Sequence, residues 1–376
     1  MSKREEVLDE LAMVKTLVGE DLSGIDFSGQ DFTNCAFLNV NFSNANLSGA
    51  DLTSCQIGNC DFTGADLTGL KASSSQWANP VFDGAKFTGL DLRATQIFGT
   101  KIDKAQLNAE LLSLTIFHDV ELNDCHIEGH LNRFIANETR FNGMDLRSAH
   151  LERCVFHKCG FQKSDFSGAE FEEVVFSESD LTEAVLSNIT VNKGLFKEIN
   201  LSERDFSGTK MFGAQLIECE LSNINFTDAK LEKCGFIKTN LEGANFENCS
   251  ALQCNFLEAK LPRAKFSGAE LEQTIWKDAD LSDANFSRCN LEATNFENAV
   301  LKNAVLSEAR LVFGNFTGAD FTDAEVTNCD LYMAKLDRIV EENTNWSQSK
   351  RRRAQKPDHE RNRAEEWPTA RKLETC

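Results

Sequence analysis

From Leu22 onward a large apolar residue returns at every fifth position. The series Leu22, Phe27, Phe32, Phe37, Phe42, Leu47, Leu52, Ile57, Phe62 and Leu67 is unbroken. Past Ala72 and Trp77 it resumes from Phe82 to Ile127. One four-residue step at Glu128–His130 leads to Leu131, and the beat then holds from Phe141 to Leu336, about 64 pentapeptides in all. Neither the helix period of about 3.6 nor the strand period of about 2 accommodates a step of five. A chain that turns a corner every five residues does, because each large residue then points at a common axis. Coils of that kind stack through backbone hydrogen bonds about 4.8 Å apart.

Two positions before each centre the residue is usually small, as at Ala45, Ala50, Ala65, Ala85, Ala149, Ala169, Ala264 and Ala284. Where a centre is itself small, its neighbour compensates. Ala72 follows Leu70 and Ala136 follows Phe134, which conserves volume within a layer. Composition agrees: 29 Phe against one Tyr indicates a narrow, dry core with no partner for a phenolic hydroxyl. Twelve of the 13 cysteines (Cys35, Cys55, Cys60, Cys125, Cys154, Cys159, Cys219, Cys234, Cys249, Cys254, Cys289, Cys329) occupy the small position and read as buried filler. Stacked pairs such as Cys35/Cys55 and Cys234/Cys254 are near enough for a disulfide, although nothing in the pattern requires one. Only Cys376 is off the beat.

Units such as "ADLTG", "ANFEN" and "ADLSD" make the chain resemble the pentapeptide-repeat family over roughly residues 20–340. The resemblance implies an all-β chain, a right-handed four-sided parallel β-solenoid with four pentapeptides per coil. An independent feature agrees with four sides. From Leu201 onward Leu and Phe centres mostly alternate (Leu221/Phe226, Leu241/Phe246, Leu281/Phe286), which stays in register only on an even number of sides. About 16 coils would give a rod roughly 75 Å long.

The ends need caps. Residues 1–19 are expected to supply a helical one, with Val7, Leu11, Val14 and Val18 on one face and Gly19 as its stop. Residues 20–340 form the solenoid, with irregular coils expected at the slip near 128–130 and at Leu70–Asp83. Residues 341–376, with the run Lys350-Arg351-Arg352-Arg353, read as a polar C-terminal tail, helical or flexible. No segment approaches the roughly 18 apolar residues of a membrane span. Met1–Gly19 fits neither a signal nor a transit peptide, which points to the cytoplasm or to a leaderless export route.

A solenoid filled by its own side chains leaves no recessed pocket for a nucleophile and its base, so the chain is not expected to be an enzyme and calls for no cofactor. Function is expected on an outer face. Three faces carry mainly Asp, Asn, Ser, Thr and Lys. The face centred on Phe37, Phe117, Phe156, Phe176 and Phe236 differs. It carries Phe98, then Ile116, Ile135, Val155, Val175 and Leu195 just before successive centres. Ile217, Ile237 and Leu257 follow just after the next ones, and Ile275 returns to the earlier slot. Spread over about nine coils, roughly 40 Å, and edged by Asp119, Glu138, Glu178, Glu198, Glu218, Glu258 and Asp278, this stripe has the anatomy of a protein-binding surface.

The first reading is therefore a non-catalytic scaffold or adaptor for a protein partner, a use that some family members make in bacterial secretion or as effectors. A homodimer through the stripe is the self-association variant. A second reading comes from the resemblance to quinolone-resistance proteins, acidic rods that mimic duplex DNA and occupy a topoisomerase such as gyrase. The net charge of −20 suits a basic groove. It also disfavours direct contact with nucleic acid. Finally, His118, His126, His130, His150 and His157 gather near the slip. His130 and His150 should stack, with Glu170 next in the column, a weak candidate for a transition-metal site.

Overall fold

The computed structural model describes residues 1–356. They fall into two compact units, Met1–Thr190 and a second from Val191 onward, each a parallel β-solenoid. In the first unit Thr16 pairs with Ala36, Phe37 with Ile57 and Gln56 with Gln76; in the second Gln215 pairs with Gly235 and Lys260 with Asp280. A partner 20 residues on is four pentapeptides on, so each coil has four sides. The slip shortens one coil by a residue, and Ile116 pairs with Ile135. There the repeat gives way to a 3₁₀ turn, Ala109–Leu112, and Gly129 takes φ 103°.

The residue one before each centre bears on how its side is built: among the described residues no strand begins on Asp or Asn, although Val81 and Ile275 also stand in turns. Where it is Asp or Asn, the side-chain oxygen accepts the backbone N–H two residues on. Ser28 N–H donates to Asp26 Oδ1 at 2.9 Å, and Ser287 N–H donates to Asn285 Oδ1 at 2.9 Å. This local bond holds a turn. Where Gln76, Ile135, Val155 or Val175 stands, no short side-chain oxygen competes, and the chain runs as three-residue strands such as Val155–His157 and Val175–Ser177. At most corners one residue is left-handed, for example Gly24 at φ 67° and Asn44 at φ 57°. That requirement accounts for the abundance of Gly and Asn.

Within the core, aromatic centres stack along the axis. Phe156 and Phe176 lie 5.0 Å apart in the first unit; Phe256 and Trp276 lie 4.1 Å apart in the second. Each buried Trp finds its hydrogen-bond acceptor two residues back. Trp77 Nε1 donates to Ser75 Oγ and Trp276 Nε1 to Thr274 Oγ1, both at 2.6 Å. The stretch Leu70–Asp83, expected to be irregular, is regular because Ser75 supplies that acceptor and Gln76–Ala78 keeps register with both neighbouring strands. The twelve described cysteines are buried free thiols. Burial pushes Cys55 and Cys154 up to about 12 and Cys60 up to about 11.

Helix α1, Lys3–Val14, starts on a capping box between Ser2 and Glu5 and stops at Lys15, which is left-handed at φ 56°. Val7 and Leu11 are buried, while Val14 is exposed. The expected stop at Gly19 moves to Lys15, because Thr16–Val18 already pairs with Ala36–Leu38 as the first strand. At the other end the ladder continues past Val340. Glu325 bridges Asn345, Lys350 N–H donates to Cys329 O at 3.0 Å, and Gln355 N–H donates to Ala334 O at 2.9 Å. Residues 341–355 therefore belong with the coils, where the sequence reading placed a helical or flexible tail. Glu341 and Arg351 occupy centre positions there and pair at 2.7 Å, with Arg351 also over the Trp346 ring at 4.8 Å. The part of the expected tail after residue 356 lies outside the described residues.

Candidate functional site

In the first unit the predicted stripe is continuous in register. Ile116 pairs with Ile135, Ile135 with Val155, and Val155 with Val175, so four branched side chains stand in one outward column. All four are half-buried, as is Phe98, whose ring lies 6.1 Å from the ring of His118 in the next coil. Below Ile116 the same column holds Gln56, Gln76 and Gln96. The apolar surface there shifts to the column on the other side of the centre, where Val18, Leu38, Gly58, Ala78 and Phe98 are successive partners.

Val18 and Leu38, 60% and 41% exposed, are apolar surface residues of this face that sequence reasoning missed. Their signal was present: each stands one residue after a centre, the slot of Phe98. A Cβ on Gly58 would sit 3.0 Å from Leu38 Cδ2, so Leu38 lies over the glycine of the next coil. This face thus carries large apolar residues toward both ends of the unit, with Gln56, Gly58, Gln76 and Ala78 between them. The columns on the other three faces carry apolar residues only singly, such as Val81 and Val185.

The rim is less uniformly acidic than expected. Asp119, Glu138 and Glu178 are exposed and left-handed, but Lys158 occupies the same column and lies 3.9 Å from Glu178.

In the second unit Leu195 pairs with Gln215 and Lys197 with Ile217. Ile217, Ile237 and Leu257 then follow one another, each half-buried, through the bonds Glu218 N–H to Ile237 O and Lys238 N–H to Leu257 O. Ile275 stands across the centre in the column of Gly235 and Asn255, 39% exposed. Glu198 pairs with Lys197 at 2.9 Å and Glu258 with Lys238 at 3.9 Å. Glu218 and Asp278 complete that rim, with Asp278 accepting from Asn298 at 3.1 Å.

The histidines resolve into separate places. His126 faces Asp145 at 3.3 Å and His157 faces Glu178 at 3.9 Å. His130 and His150 are in-register partners with ring centroids 4.4 Å apart. Glu170 is at Nδ1 of His150, 3.1 Å away. The carboxylate that converges with both imidazoles is Glu152, not Glu170: ligand atoms of His130, His150 and Glu152 all lie within 4.8 Å of one another.

A family model described as "Pentapeptide repeats (8 copies)" matches residues 21–101, 137–192 and 279–338 in overlapping segments, and one described as "Pentapeptide repeat region" matches 209–275, together well over half the chain. No curated protein is a significant match. Among solved structures, a trypsin-treated form of QnrB1, a plasmid-mediated fluoroquinolone resistance protein, is 22% identical, covering 53% of this chain and 91% of its own at a TM-score of 0.33. HetL, involved in heterocyst differentiation regulation in the cyanobacterium Nostoc, is 16% identical, covering 75% of this chain and 98% of its own at a TM-score of 0.20. A pentapeptide repeat protein of the Arabidopsis thaliana thylakoid lumen is 30% identical, over 33% of this chain and 66% of its own, at a TM-score of 0.11. These likenesses concern the fold and assign no partner.

Proposed function

This chain belongs to the pentapeptide-repeat family, and on that premise we propose that it is a scaffold that engages a protein partner through the apolar face of its first unit. The family is generally non-catalytic, and no helix among the described residues is long and apolar enough to cross a membrane. The observation that carries the reading is the unbroken column Ile116, Ile135, Val155, Val175, four branched side chains on successive in-register strands of one face. An apolar strip with a polar rim is what protein interfaces use. Branched side chains held on strands have few rotamers to lose, so ordering them against a partner costs little. Ile217, Ile237 and Leu257 offer a second, shorter apolar column on the other unit.

The competing reading is an acidic surface seated in a basic groove built for duplex DNA, such as that of gyrase. The net charge of −20 supports it. The two separate in one experiment. Native chain and the variant Ile135→Glu/Val155→Glu/Val175→Glu are compared by light scattering, then used to capture partners from extracts of the source cell at low and high salt. The scaffold reading expects capture that survives salt and is lost in the variant. A native dimer that becomes a folded monomer would make the face a self-association surface. Capture that is abolished by salt and unchanged in the variant would move the assignment to the acidic surface.

A further inference from the structure

We propose that His130, His150 and Glu152 form a binding site for a divalent transition-metal ion, Zn²⁺ being the natural probe, which ties two neighbouring coils together beside the shortened step. The site lies on a different face from the apolar column and does not depend on the reading above. His130 and His150 are paired residues of adjacent coils, and the ladder spacing sets their imidazoles side by side, with centroids 4.4 Å apart at 77°. Glu152 follows His150 by two residues, so the strand alternation returns its side chain to the same outer surface. That places its Oε2 3.0 Å from His130 Nε2. Yet His130 Nε2, although screened from solvent, makes no hydrogen bond of acceptable geometry. A nitrogen and a carboxylate oxygen drawn together without a shared proton in line are suited to a common cation.

The surrounding groups do what partners of metal ligands do. Glu170 Oε2 is 3.1 Å from His150 Nδ1, which favours the proton there and leaves Nε2 as a donor of electrons. Asn132 Nδ2 donates to Glu152 Oε2 at 2.9 Å and orients that carboxylate. Glu172 Oε2 lies 3.8 Å from His150 Nε2 but outside the converging trio, so water would complete the coordination. The three principal ligand atoms span up to 4.8 Å, wider than a bound ion allows, and the half-buried side chains must close by rotamer adjustment. Arg153, 3.3 Å from Glu152 Oε1, opposes the ion, but it also has Glu173 at 3.0 Å and can remain there. Two imidazoles and one carboxylate suit Zn²⁺, Co²⁺, Ni²⁺ or Cu²⁺ and not Ca²⁺ or Mg²⁺.

The test is titration of the full chain with Zn²⁺ and Co²⁺, carried out in a Cys376→Ser background. Expected is one saturable site per chain, with a Co²⁺ spectrum free of thiolate charge-transfer absorption and no competition by Ca²⁺ or Mg²⁺. His130→Gln and His150→Gln should each weaken binding by at least about tenfold, and Glu170→Gln, acting through the orientation of His150, by about tenfold at unchanged stoichiometry. Zn²⁺ should raise the Tm of the native chain and not of the histidine variants, whose Tm without metal matches the native value. Absence of saturable binding at millimolar ion, native affinity retained in either histidine variant, or a thiolate spectrum would each overturn the assignment.

Discussion

The two units build their sides in different ways, and the difference traces to single positions. In the first unit the face of Phe156 carries Ile116, Ile135, Val155 and Val175 before its centres, and these segments are strands. In the second unit the face of Phe236 carries Gly235, Asn255, Ile275 and Asn295 there, and the segments are turns. Asn255 Oδ1 accepts from Leu257 N–H at 3.0 Å and Asn295 Oδ1 from Glu297 N–H at 3.1 Å. An amide oxygen at that position organises the backbone locally and presents a polar surface; a branched hydrocarbon presents an apolar one and permits an extended backbone without imposing it, since Ile275 also stands in a turn. The choice of an Asx residue thus sets local conformation and surface chemistry together. A sticky face is therefore a departure from the commoner, Asx-bearing pentapeptide, and in the first unit it is made four times in succession.

The largest effects should fall where the units are alike. Phe156→Ala in the first unit and Phe256→Ala in the second each remove a fully buried ring from an axial stack. Each should cost about 3–5 kcal/mol by chemical denaturation. A loss well under that in one unit alone would show that its core repacks where the other does not. Next, Ser75→Ala and Thr274→Val orphan the indole N–H of Trp77 and Trp276, at about 1–3 kcal/mol each.

A smaller effect distinguishes the two kinds of side. Asn255→Val removes the acceptor of Leu257 N–H and should cost about 0.5–1.5 kcal/mol. Val155→Asn should be close to neutral, because it supplies such an acceptor where none exists. Equal losses from both would break the link between this residue and the backbone form.

Acid should weaken the Asp-bearing sides first. Asp26, Asp31 and Asp205 are held below the ordinary carboxylate value of about 4 chiefly by the backbone N–H and hydroxyl of the Ser or Thr two residues on. Asp145, bonded to the Arg147 side chain, is lowered to about 2. A folded-state value below the unfolded one means that this stabilisation is complete above about pH 4 and is lost as pH falls toward 2. Denaturant midpoints measured across that window should decline. A flat profile would show that the turn bonds contribute nothing net. Finally, the buried thiols, with values pushed up to about 11–12, should resist an aqueous disulfide reagent until the chain unfolds.

Much of this architecture was legible in the sequence because a step of five with a small residue two before each centre admits one solution. The legibility failed where chemistry replaced size. The beat continues through Glu341, Trp346 and Arg351, but two of these centres are charged and satisfy each other, so a search for apolar residues stops early. Leu70–Asp83 looked irregular because Trp77 and Ala72 break the size pattern, although Ser75 accommodates the indole. Val18 and Leu38 were overlooked because the apolar surface changes columns between Phe98 and Ile116. At the histidines, stacking of His130 on His150 followed from spacing alone. Which carboxylate joins them depended on side-chain directions that no spacing encodes.

The most direct test of the scaffold reading is site-specific photocrosslinking in the source cell. A photoreactive residue is placed singly at Ile135, Val155 and Val175 and, as a control on a polar side, at Asp165. Adducts to the same protein are expected from the three apolar positions, and little or none from Asp165. Adducts from Asp165 alone, or none from the apolar positions, would contradict that reading.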